Sequence, residues 1–382
     1  MPQPLSWSEV TAQRLDRHGL GQQLPGGAAD AAAAMLGAHA QVASAAQLSL
    51  GMRLTGVTRA DVERAVTEQH SLVKTYGPRG TVHLLAAADL PLFTGALAAV
   101  PPLTSQLPAS IGLQPGQADE IIAGIAAALA ADELTAEELD DAIGRSVGAW
   151  ASEPVVPAFQ GMWPRWRLVI SRAAHRGALV FGSGRCRTVT YTNPTRWQPG
   201  FAPEAPETAS RELLRRYLRA YGPAAPEHYA QWLSAPRSWA ASLFDSLGAE
   251  LTCAMLGEST VWMLRGDAPP TAQPRGIRLL PYFDAFVVGS HPRELLFPGS
   301  AADRALSRGQ AGNFPVLLID GVVGGVWHLG RSSDRLQITV EPLKPLTKRQ
   351  RALLDDEVQR TGMILEGTPA LTIGPVSVGP HA

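Results

Sequence analysis

Three polar side chains interrupt an apolar stretch near the N-terminus, and their types are suited to catalysis. The segment MLGAHAQVASAAQLSLGMRL, residues 35–54, carries His39, Gln41 and Gln47. An imidazole can transfer a proton near neutral pH, and a carboxamide can orient a water molecule through its fixed dipole. Burying either group without a partner costs kilocalories. The alternative is that these residues lie on a solvated helix face or bond to nearby carbonyl oxygens in a core.

The composition is that of a globular protein and excludes several kinds of site. The chain has 382 residues, 45% of them hydrophobic and 18% charged, which suffices for two or three domains. Cys186 and Cys253 form no CxxC pair, and no HExxH, Walker loop or GxGxxG after a strand occurs. We therefore expect neither metal nor cofactor. The apolar runs are too short to span a bilayer and the N-terminus lacks a signal-like segment, so we expect a cytoplasmic protein with no membrane partner.

Charge is distributed unevenly, although the formal net charge is −1. Between Glu153 and Glu204 there is no acidic residue, and this interval holds seven arginines: Arg165, Arg167, Arg172, Arg176, Arg185, Arg187 and Arg196. Unopposed positive charges interleaved with aromatic residues are typical of a surface that follows nucleic-acid phosphates. The alternative is a coding bias, because arginine greatly outnumbers lysine throughout the chain.

The sequence loosely repeats one order of elements three times: helical segments followed by two short strands. Strand pairs are predicted around Gly77-Pro78 and around the Gly-Ser-Gly of ALVFGSGRCRTVTYT, and Ser8, Thr58 and Thr135 are plausible helix caps. Helices followed by a two-stranded wing form the winged-helix plan. Beyond Pro274, strand patterns and one amphipathic helix indicate a small β domain. We predict an α+β fold with three tandem winged-helix units, at 1–110, 111–203 and 204–272, and a β-barrel-like domain at 273–382.

Four segments, taken together and in order, resemble a known family. They are GAHAQ, LVKTYGPRGTVHLL, RYLRAYGPAAPEHYAQWL and RLLPYFDAFVVG. They are similar to segments of the AlkZ-like DNA glycosylases, a bacterial winged-helix superfamily, and the resemblance spans nearly the whole chain. It implies a C-shaped clamp around DNA and the removal of bulky alkylated purines, including adducts of genotoxic natural products to which the producing bacteria must be resistant.

The resemblance also implies which residues are catalytic. The family has a Gln, an apolar residue and a second Gln where this chain has His39-Ala40-Gln41. The His-x-Gln form resembles a branch linked to resistance against pluramycin-type alkylators such as hedamycin, which modify guanine at N7. Alkylation at N7 makes the purine a good leaving group, so the enzyme has to orient a water and stabilise the positive charge that develops on the deoxyribose.

We therefore expect Gln41 to position the attacking water. We expect His39 to add a second hydrogen bond or to accept the proton of the water, since imidazole titrates near neutral pH. If the backbone is locally extended, these two side chains point to the same side and can both reach one sugar. Gln47 is a candidate to support them, although a purely structural role is the simpler interpretation.

Several other residues are candidates for contact with DNA. Arg79 and His83, in the segment RGTVH, are expected to contact phosphate or to support the active loop, with purely structural hydrogen bonding as the alternative. Lys74 is expected to contact phosphate; a Schiff base with the sugar, which would make the enzyme a lyase, is the weaker hypothesis. Asp284 can face the DNA or support the catalytic residues, but turn and cap roles are common for aspartate.

The arginine-rich interval is expected to form the rest of the DNA-binding surface. Arg185 and Arg187 lie on a hairpin that can enter a groove as winged-helix wings do. Arg165, Arg167, Arg172 and Arg176 extend the basic surface. Trp163 and Trp166 can stack on bases, but large aromatic residues more often belong to a core.

Together these features predict a monofunctional DNA glycosylase that acts as a monomer on double-stranded DNA carrying bulky alkyl adducts. Two rival hypotheses share the same sequence features. A winged-helix transcription regulator binds one operator and breaks no bond. A catalytically idle lesion binder has affinity for adducted DNA but forms no product that depends on Gln41.

Overall fold

The computed structural model describes residues 3–103, 108, 111–158, 161–186, 188–267 and 273–381. Helices and strands are mixed along the chain, in agreement with the predicted α+β class. The first part contains β1 (Gln3–Leu5), α1 (Trp7–Arg17), α2 (Ala28–Ala34), β2 (Ala38–His39), α3 (Ala43–Gly51), α4 (Arg59–Thr67), β3 (Leu72–Tyr76), β4 (Val82–Ala86) and α5 (Leu90–Ala98).

The middle of the chain repeats the same kinds of element. It contains α6 (Gln117–Ala131), β5 (Leu134–Thr135), α7 (Ala136–Ser146), β6 (Pro154–Ala158), β7 (Gly161–Pro164), α8 (Ile170–His175), β8 (Val180–Phe181) and β9 (Thr190–Thr192). These are followed by α9 (Pro206–Tyr221), α10 (Pro226–Leu233), α11 (Arg237–Leu247), β10 (Leu251–Leu256) and β11 (Ser259–Leu264).

The last part is built around one larger sheet. It contains β12 (Ile277–Leu280), α12 (Ala285–Gly289), α13 (Arg293–Leu296), α14 (Ser300–Ala305), β13 (Val316–Ile319), β14 (Val322–Ser332), β15 (Arg335–Pro342), α15 (Lys348–Leu365) and β16 (Thr368–Ile373). Strands β12 to β16 are hydrogen-bonded in sequence order, and both edge strands contact α15. The sheet is curled into a half-barrel, and the helix covers its open side.

Contacts within one turn of chain fix several helix starts. Ser6 begins α1 by accepting a hydrogen bond from the Glu9 N–H, and the Glu9 carboxylate bonds back to Ser6. The predicted caps Thr58 and Thr135 are confirmed, since each forms the same reciprocal arrangement. The predicted cap Ser8 is wrong, because only Ser6 has a glutamate three positions later.

One strand order recurs in three places, which we call the first set (α2–β4), the second set (α6–β9) and the third set (α9–β11). In each set, the segment between the first two helices pairs with the last strand: β2 with β4, β5 with β9, and Ala224 with Trp262 of β11. The second set also carries the hairpin β6–β7. The N-terminal strand β1, from the part of the sequence assigned to the unit 1–110, pairs in parallel with β10 of the third set.

The hydrophobic cores extend across these sets and hold them together. Helix α5, which follows the first set, packs along α9 of the third set. Leu48 of α3 and Met52, which directly follows α3, enter the core of the C-terminal sheet. The start of α3 lies two residues after Gln41, so the C-terminal part of the chain helps to fix the segment that carries the candidate catalytic residues.

Candidate active site

The small sheet of the first set brings three polar side chains into one row. Strand β4 lies between β2 and β3, and within it His83 pairs with His39 on one side and with Thr75 on the other. Residues paired directly across a sheet project from the same face. Thr75, His83 and His39 are all buried, and they therefore form a continuous polar row on one face of the sheet.

His39 is enclosed by aromatic rings and is only 8% exposed. Its ring stacks on Phe283, with centroids 4.9 Å apart and planes 22° apart, and lies 4.7 Å from the ring of His83. Within the described part of the chain, its Nδ1 atom is buried without a hydrogen-bond partner. A buried polar atom without a partner costs about 1–3 kcal/mol, so this nitrogen adds nothing favourable to the stability of the fold.

Gln41, in contrast, is exposed at the surface. The Ala40 N–H donates to the Val82 carbonyl oxygen at 2.7 Å, so the pairing of β2 with β4 continues one residue beyond His39. This strand-like pairing favours a shared side for His39 and Gln41. The site thus presents one accessible carboxamide, and the buried imidazole lies two residues before it. Gln47 lies one and a half turns further on, half-buried in α3.

The buried position of His39 changes its acid–base behaviour. Burial, and to a smaller extent the charge of Arg79, lowers the pKa of His39 to about 3. Burial together with His39 and Arg79 also holds the pKa of His83 well below its usual value. His39 is therefore neutral at pH 7, unlike the near-neutral titration that we expected from the sequence. A base this weak is a poor proton acceptor, so the imidazole acts better as a neutral hydrogen-bonding group.

The same shifts predict that acid destabilises the protein. Burial also lowers the pKa of His175 to about 4. Because both folded-state pKa values lie below the unfolded value of about 6.5, the stability is complete above that pH and is lost as the pH falls toward 4. Between pH 7.5 and 5.5 we expect each histidine to cost about 1.4 kcal/mol of unfolding free energy. Burial lowers the pKa values of His18, His83, His228 and His291 in the same direction, so His39 carries only one share of the total loss. His39→Gln should therefore remove about 1.4 kcal/mol of it. Urea unfolding at the two pH values measures the loss, and equal free energies at both values would contradict the prediction.

Asp284 is buried in an ion pair with Arg53 and is not accessible at the surface. Its carboxylate accepts hydrogen bonds from Arg53 at 2.8 and 2.9 Å and from the Ser49 hydroxyl at 2.7 Å, and the side chains of Arg53 and Asp284 are 0% exposed. It also accepts from the Phe286 N–H at 3.0 Å and so caps α12, the role that the sequence offered as the alternative. Burial alone would raise the pKa of Asp284, but the Arg53 charge and the hydrogen bonds outweigh it and hold that pKa below its usual value.

Sequence reasoning did not identify Phe283 or Arg53 as part of the site. Phe283 follows β12 in the loop before α12, and Arg53 follows α3. The one indication in the sequence was that Phe283 directly precedes Asp284, which was already a candidate site residue, in the segment PYFD. The stacking of Phe283 on His39 could not be predicted from the sequence around either residue. That contact depends on how the C-terminal sheet packs against the first set.

Lys74 lies away from His39. It pairs with Leu84, one position out of step with the row of Thr75 and His83, and therefore projects from the opposite face of the sheet. Its ammonium nitrogen lies 4.9 Å from the centroid of the Phe181 ring, and burial lowers its pKa. This position does not favour attack on a sugar held at His39 and Gln41.

Arg79 and His83 make internal contacts. Arg79 donates to the Trp232 carbonyl oxygen at 2.7 Å and thereby ties the turn between β3 and β4 to α10 of the third set. The Nδ1 atom of His83 lies 2.8 Å from the Thr81 carbonyl oxygen. These contacts fit either support of the active loop or purely structural hydrogen bonding, two of the roles that the sequence left open.

Three arginines of the second set are not unopposed, and here the expectation from the sequence is wrong. Their acidic partners lie at or beyond the border of the acid-free interval: Arg165 pairs with Glu153 at 2.7 Å, Arg176 with Asp119 at 2.5 Å and Arg185 with Glu138 at 2.7 Å. Arg172 is exposed, and the structure gives it no ion pair within the described ranges. Arg187 lies outside the described residues.

The aromatic residues of the second set divide into two groups. Trp166 is fully buried and its indole N–H donates to Asp140 at 2.7 Å, which confirms a core role. Trp163 on β7 is 52% exposed, so a core role is wrong for this residue. The Arg167 guanidinium lies against the rings of Trp163 and Trp166, at 5.7 and 4.7 Å from their centroids.

A basic cleft of about 420 Å³ lies where the three sets meet. One wall carries Arg79, Arg172 and Arg176, and the other is formed by the apolar segment 97–103 after α5. None of the lining residues is acidic, and Asp119, the partner of Arg176, lies outside the lining. The positive charges of Arg79 and Arg172 favour an anionic ligand. Among the described residues there is no group of three or more His, Cys, Asp or Glu that could hold a metal ion, and no helix that could cross a membrane.

Comparison with known proteins agrees with this geometry. The family model described as DNA glycosylase AlkZ-like matches residues 32–363. An interstrand DNA cross-link repair glycosylase of Streptomyces sahachiroi is 31% identical over 340 residues, which cover 85% of this chain and 88% of that protein. The solved structure of Streptomyces sahachiroi DNA glycosylase AlkZ has a TM-score of 0.81 at 27% identity, over 97% of this chain and 100% of that one. The chain therefore belongs to the AlkZ-like family of DNA glycosylases.

Proposed function

We propose that this glycosylase hydrolyses the N-glycosidic bond of bulky N7-alkylated guanine in duplex DNA. The observation that carries the proposal is that an exposed carboxamide, Gln41, lies two residues after a neutral imidazole, His39, where β2 ends. Neither group bears charge at pH 7. Neutral groups suffice when the leaving base is already cationic, because the remaining task is to orient water and to stabilise charge on the sugar.

In this proposal Gln41 contacts the water and the sugar, and His39 acts as its neutral partner. Gln41 is the exposed member of the pair, whereas little of the His39 ring is accessible. The amide oxygen of Gln41 orients the water toward the anomeric carbon. His39 limits the orientations that are open to the carboxamide and to the water.

Tolerance of bulky lesions is supported by the exposure of Gln41. A residue at the surface can approach the sugar while the modified base stays stacked, whereas most glycosylases must rotate the base into a closed pocket. The relative from Streptomyces sahachiroi is named an interstrand DNA cross-link repair glycosylase. A cross-linked base cannot be rotated out without moving the opposite strand, so that relative faces the same constraint.

We propose monofunctional chemistry, with base release and no strand cleavage. The position of Lys74 supports it, because the ammonium projects from the sheet face opposite to His39 and lies on the Phe181 ring. Base excision repair then continues from the abasic site. Self-resistance to a genotoxic natural product is the setting suggested by the His-x-Gln form.

We also propose that the three sets are winged-helix units that act as a monomeric clamp on DNA. The support is the recurring pairing of the segment after the first helix with the last strand in all three sets. Together with the half-barrel, the units correspond to the ranges 1–110, 111–203, 204–272 and 273–382. Arg172, in the basic cleft, is the arginine that we assign most directly to a phosphate, because it is exposed and lies beside Arg79.

The proposal is tested with duplex oligonucleotides that carry either a bulky guanine N7 adduct or N7-methylguanine. Free base is quantified by chromatography, and abasic sites are detected as strand breaks after alkali. We expect the bulky base to be released and the strand to stay intact before alkali. Release of the methylated base alone would contradict the proposed lesion class, and binding without release of either base would contradict catalysis.

A further inference from the structure

A loop of the C-terminal part forms one wall of the candidate active site. This loop, residues 281–284, connects β12 to α12 and ends in Asp284. Phe283 stacks on His39, with a centroid separation of 4.9 Å. The His39 ring thus contacts two rings, since the tilted ring of His83 lies 4.7 Å away.

The backbone of Phe283 is in an unusual conformation. Its φ is +54°, in the left-handed region that bulky side chains seldom adopt. Such a conformation costs of order 1–3 kcal/mol and persists only where the surroundings enforce it, most often at functional sites. The cost here is incurred at the residue that contacts the candidate catalytic imidazole.

The surroundings of Phe283 explain how the conformation is held. Its N–H donates to the Gly312 carbonyl oxygen at 2.9 Å, and a Cβ atom on Gly312 would lie 3.0 Å from the Phe283 ring. The next residue, Asp284, is fixed by the buried pair with Arg53. The preceding strand is anchored because the Trp327 indole N–H donates to the Leu280 carbonyl oxygen at 2.8 Å. The ring of Phe283 therefore has little freedom to move away from His39.

We propose that Phe283 is a positioning residue for base excision, which holds the His39 imidazole in its plane against His83 and shields it from water. This inference rests on the proposed function, since it assigns the C-terminal part a role at that same site. Phe283 acts through His39 and need not touch the sugar. Without the ring, His39 would become mobile and hydrated, and Gln41 would lose a fixed partner.

The test compares Phe283→Ala and Phe283→Tyr with Phe314→Ala, a change to another partly buried phenylalanine of the same part of the chain. Alanine keeps the left-handed backbone occupied by a residue with Cβ, so the ring is the main difference. We expect Phe283→Ala to lower kcat for base release at least about 10-fold with an affinity for DNA within about threefold of wild type. Phe283→Tyr should keep most of the activity, and Phe314→Ala should not change kcat.

Two readouts separate positioning from mere support of the fold. In a double-mutant cycle, Phe283→Ala should have almost no further effect on kcat when His39 is already alanine, because both changes remove one interaction. The NMR titration of His39 in Phe283→Ala should move toward the ordinary histidine range as water gains access. Additive losses in the cycle, or unchanged kcat in folded Phe283→Ala, would overturn the inference while leaving the proposed function in place. Absence of base release by the wild-type protein would instead refute the proposed function.

Discussion

Gln41→Ala is expected to slow the release of a bulky N7-alkylguanine at least about 100-fold, equivalent to roughly 2.7 kcal/mol of transition-state stabilisation. The carboxamide is exposed, so its truncation removes the group that orients the water and leaves the packing intact. Single-turnover base release at saturating enzyme measures the chemical step. The melting temperature and the affinity for adducted DNA should change little.

The matched control is Gln22→Ala, which truncates another exposed glutamine outside the candidate site. This variant should release base at the wild-type rate. His39→Ala should also be slow, but it should combine with Gln41→Ala less than additively, because the two residues serve one water. If Gln41→Ala were as active as Gln22→Ala, the assignment of the catalytic carboxamide would be wrong.

Asp284→Ala is expected to lower the free energy of unfolding by about 3–5 kcal/mol, the cost of leaving one member of a buried ion pair without its partner. In this variant the Arg53 guanidinium stays buried and loses both carboxylate oxygens, which accept its hydrogen bonds at 2.8 and 2.9 Å. Chemical denaturation followed by circular dichroism measures the loss. Because Asp284 also anchors the Phe283 loop, base release should fall even where the protein remains folded.

The control for this prediction is Arg59→Ala, which breaks an ion pair with Glu366 whose side chains are 38% and 40% exposed. Exposed pairs contribute about 0–1 kcal/mol, so the change in stability should be small. Replacing both buried partners, as in Arg53→Met with Asp284→Leu, should cost less than Asp284→Ala, since no unpaired charge remains. Equal effects of Asp284→Ala and Arg59→Ala would show that the buried pair is not what holds the loop.

Features that depend on neighbouring residues were predictable from the sequence. The caps Thr58 and Thr135 and the turn at Gly77-Pro78 are formed by side chains and backbone within a few positions of each other. The α+β class and the family resemblance also agree with the structure and with the comparisons. His39 is in a short strand, and the pairing of that strand continues to Ala40, directly before Gln41.

Features that depend on contacts between distant segments were not predictable. The acidic partners of Arg176 and Arg185 lie on α6 and α7, outside the stretch in which their charges appeared unopposed. The sequence predicts titration of His39 near neutral pH, whereas burial, with Phe283 stacked on the ring, lowers its pKa to about 3. The sequence around Asp284 does not indicate that this residue pairs with Arg53. In each case the charge or the pKa of the residue depends on a partner from another part of the chain, which the neighbouring sequence does not reveal.

The pairing of β1 with β10 has a consequence for biosynthesis. Residues 3–5 leave the ribosome long before Ala254 and Leu256, their partners in the sheet, have been translated. Strand β1 therefore has no strand partner while the first and second sets are being translated. Folding rates fall as contacting residues become more distant in sequence, so joining the two ends of this stretch should be among the late steps of maturation. Until then the edge of β10 is open to strands of other nascent chains.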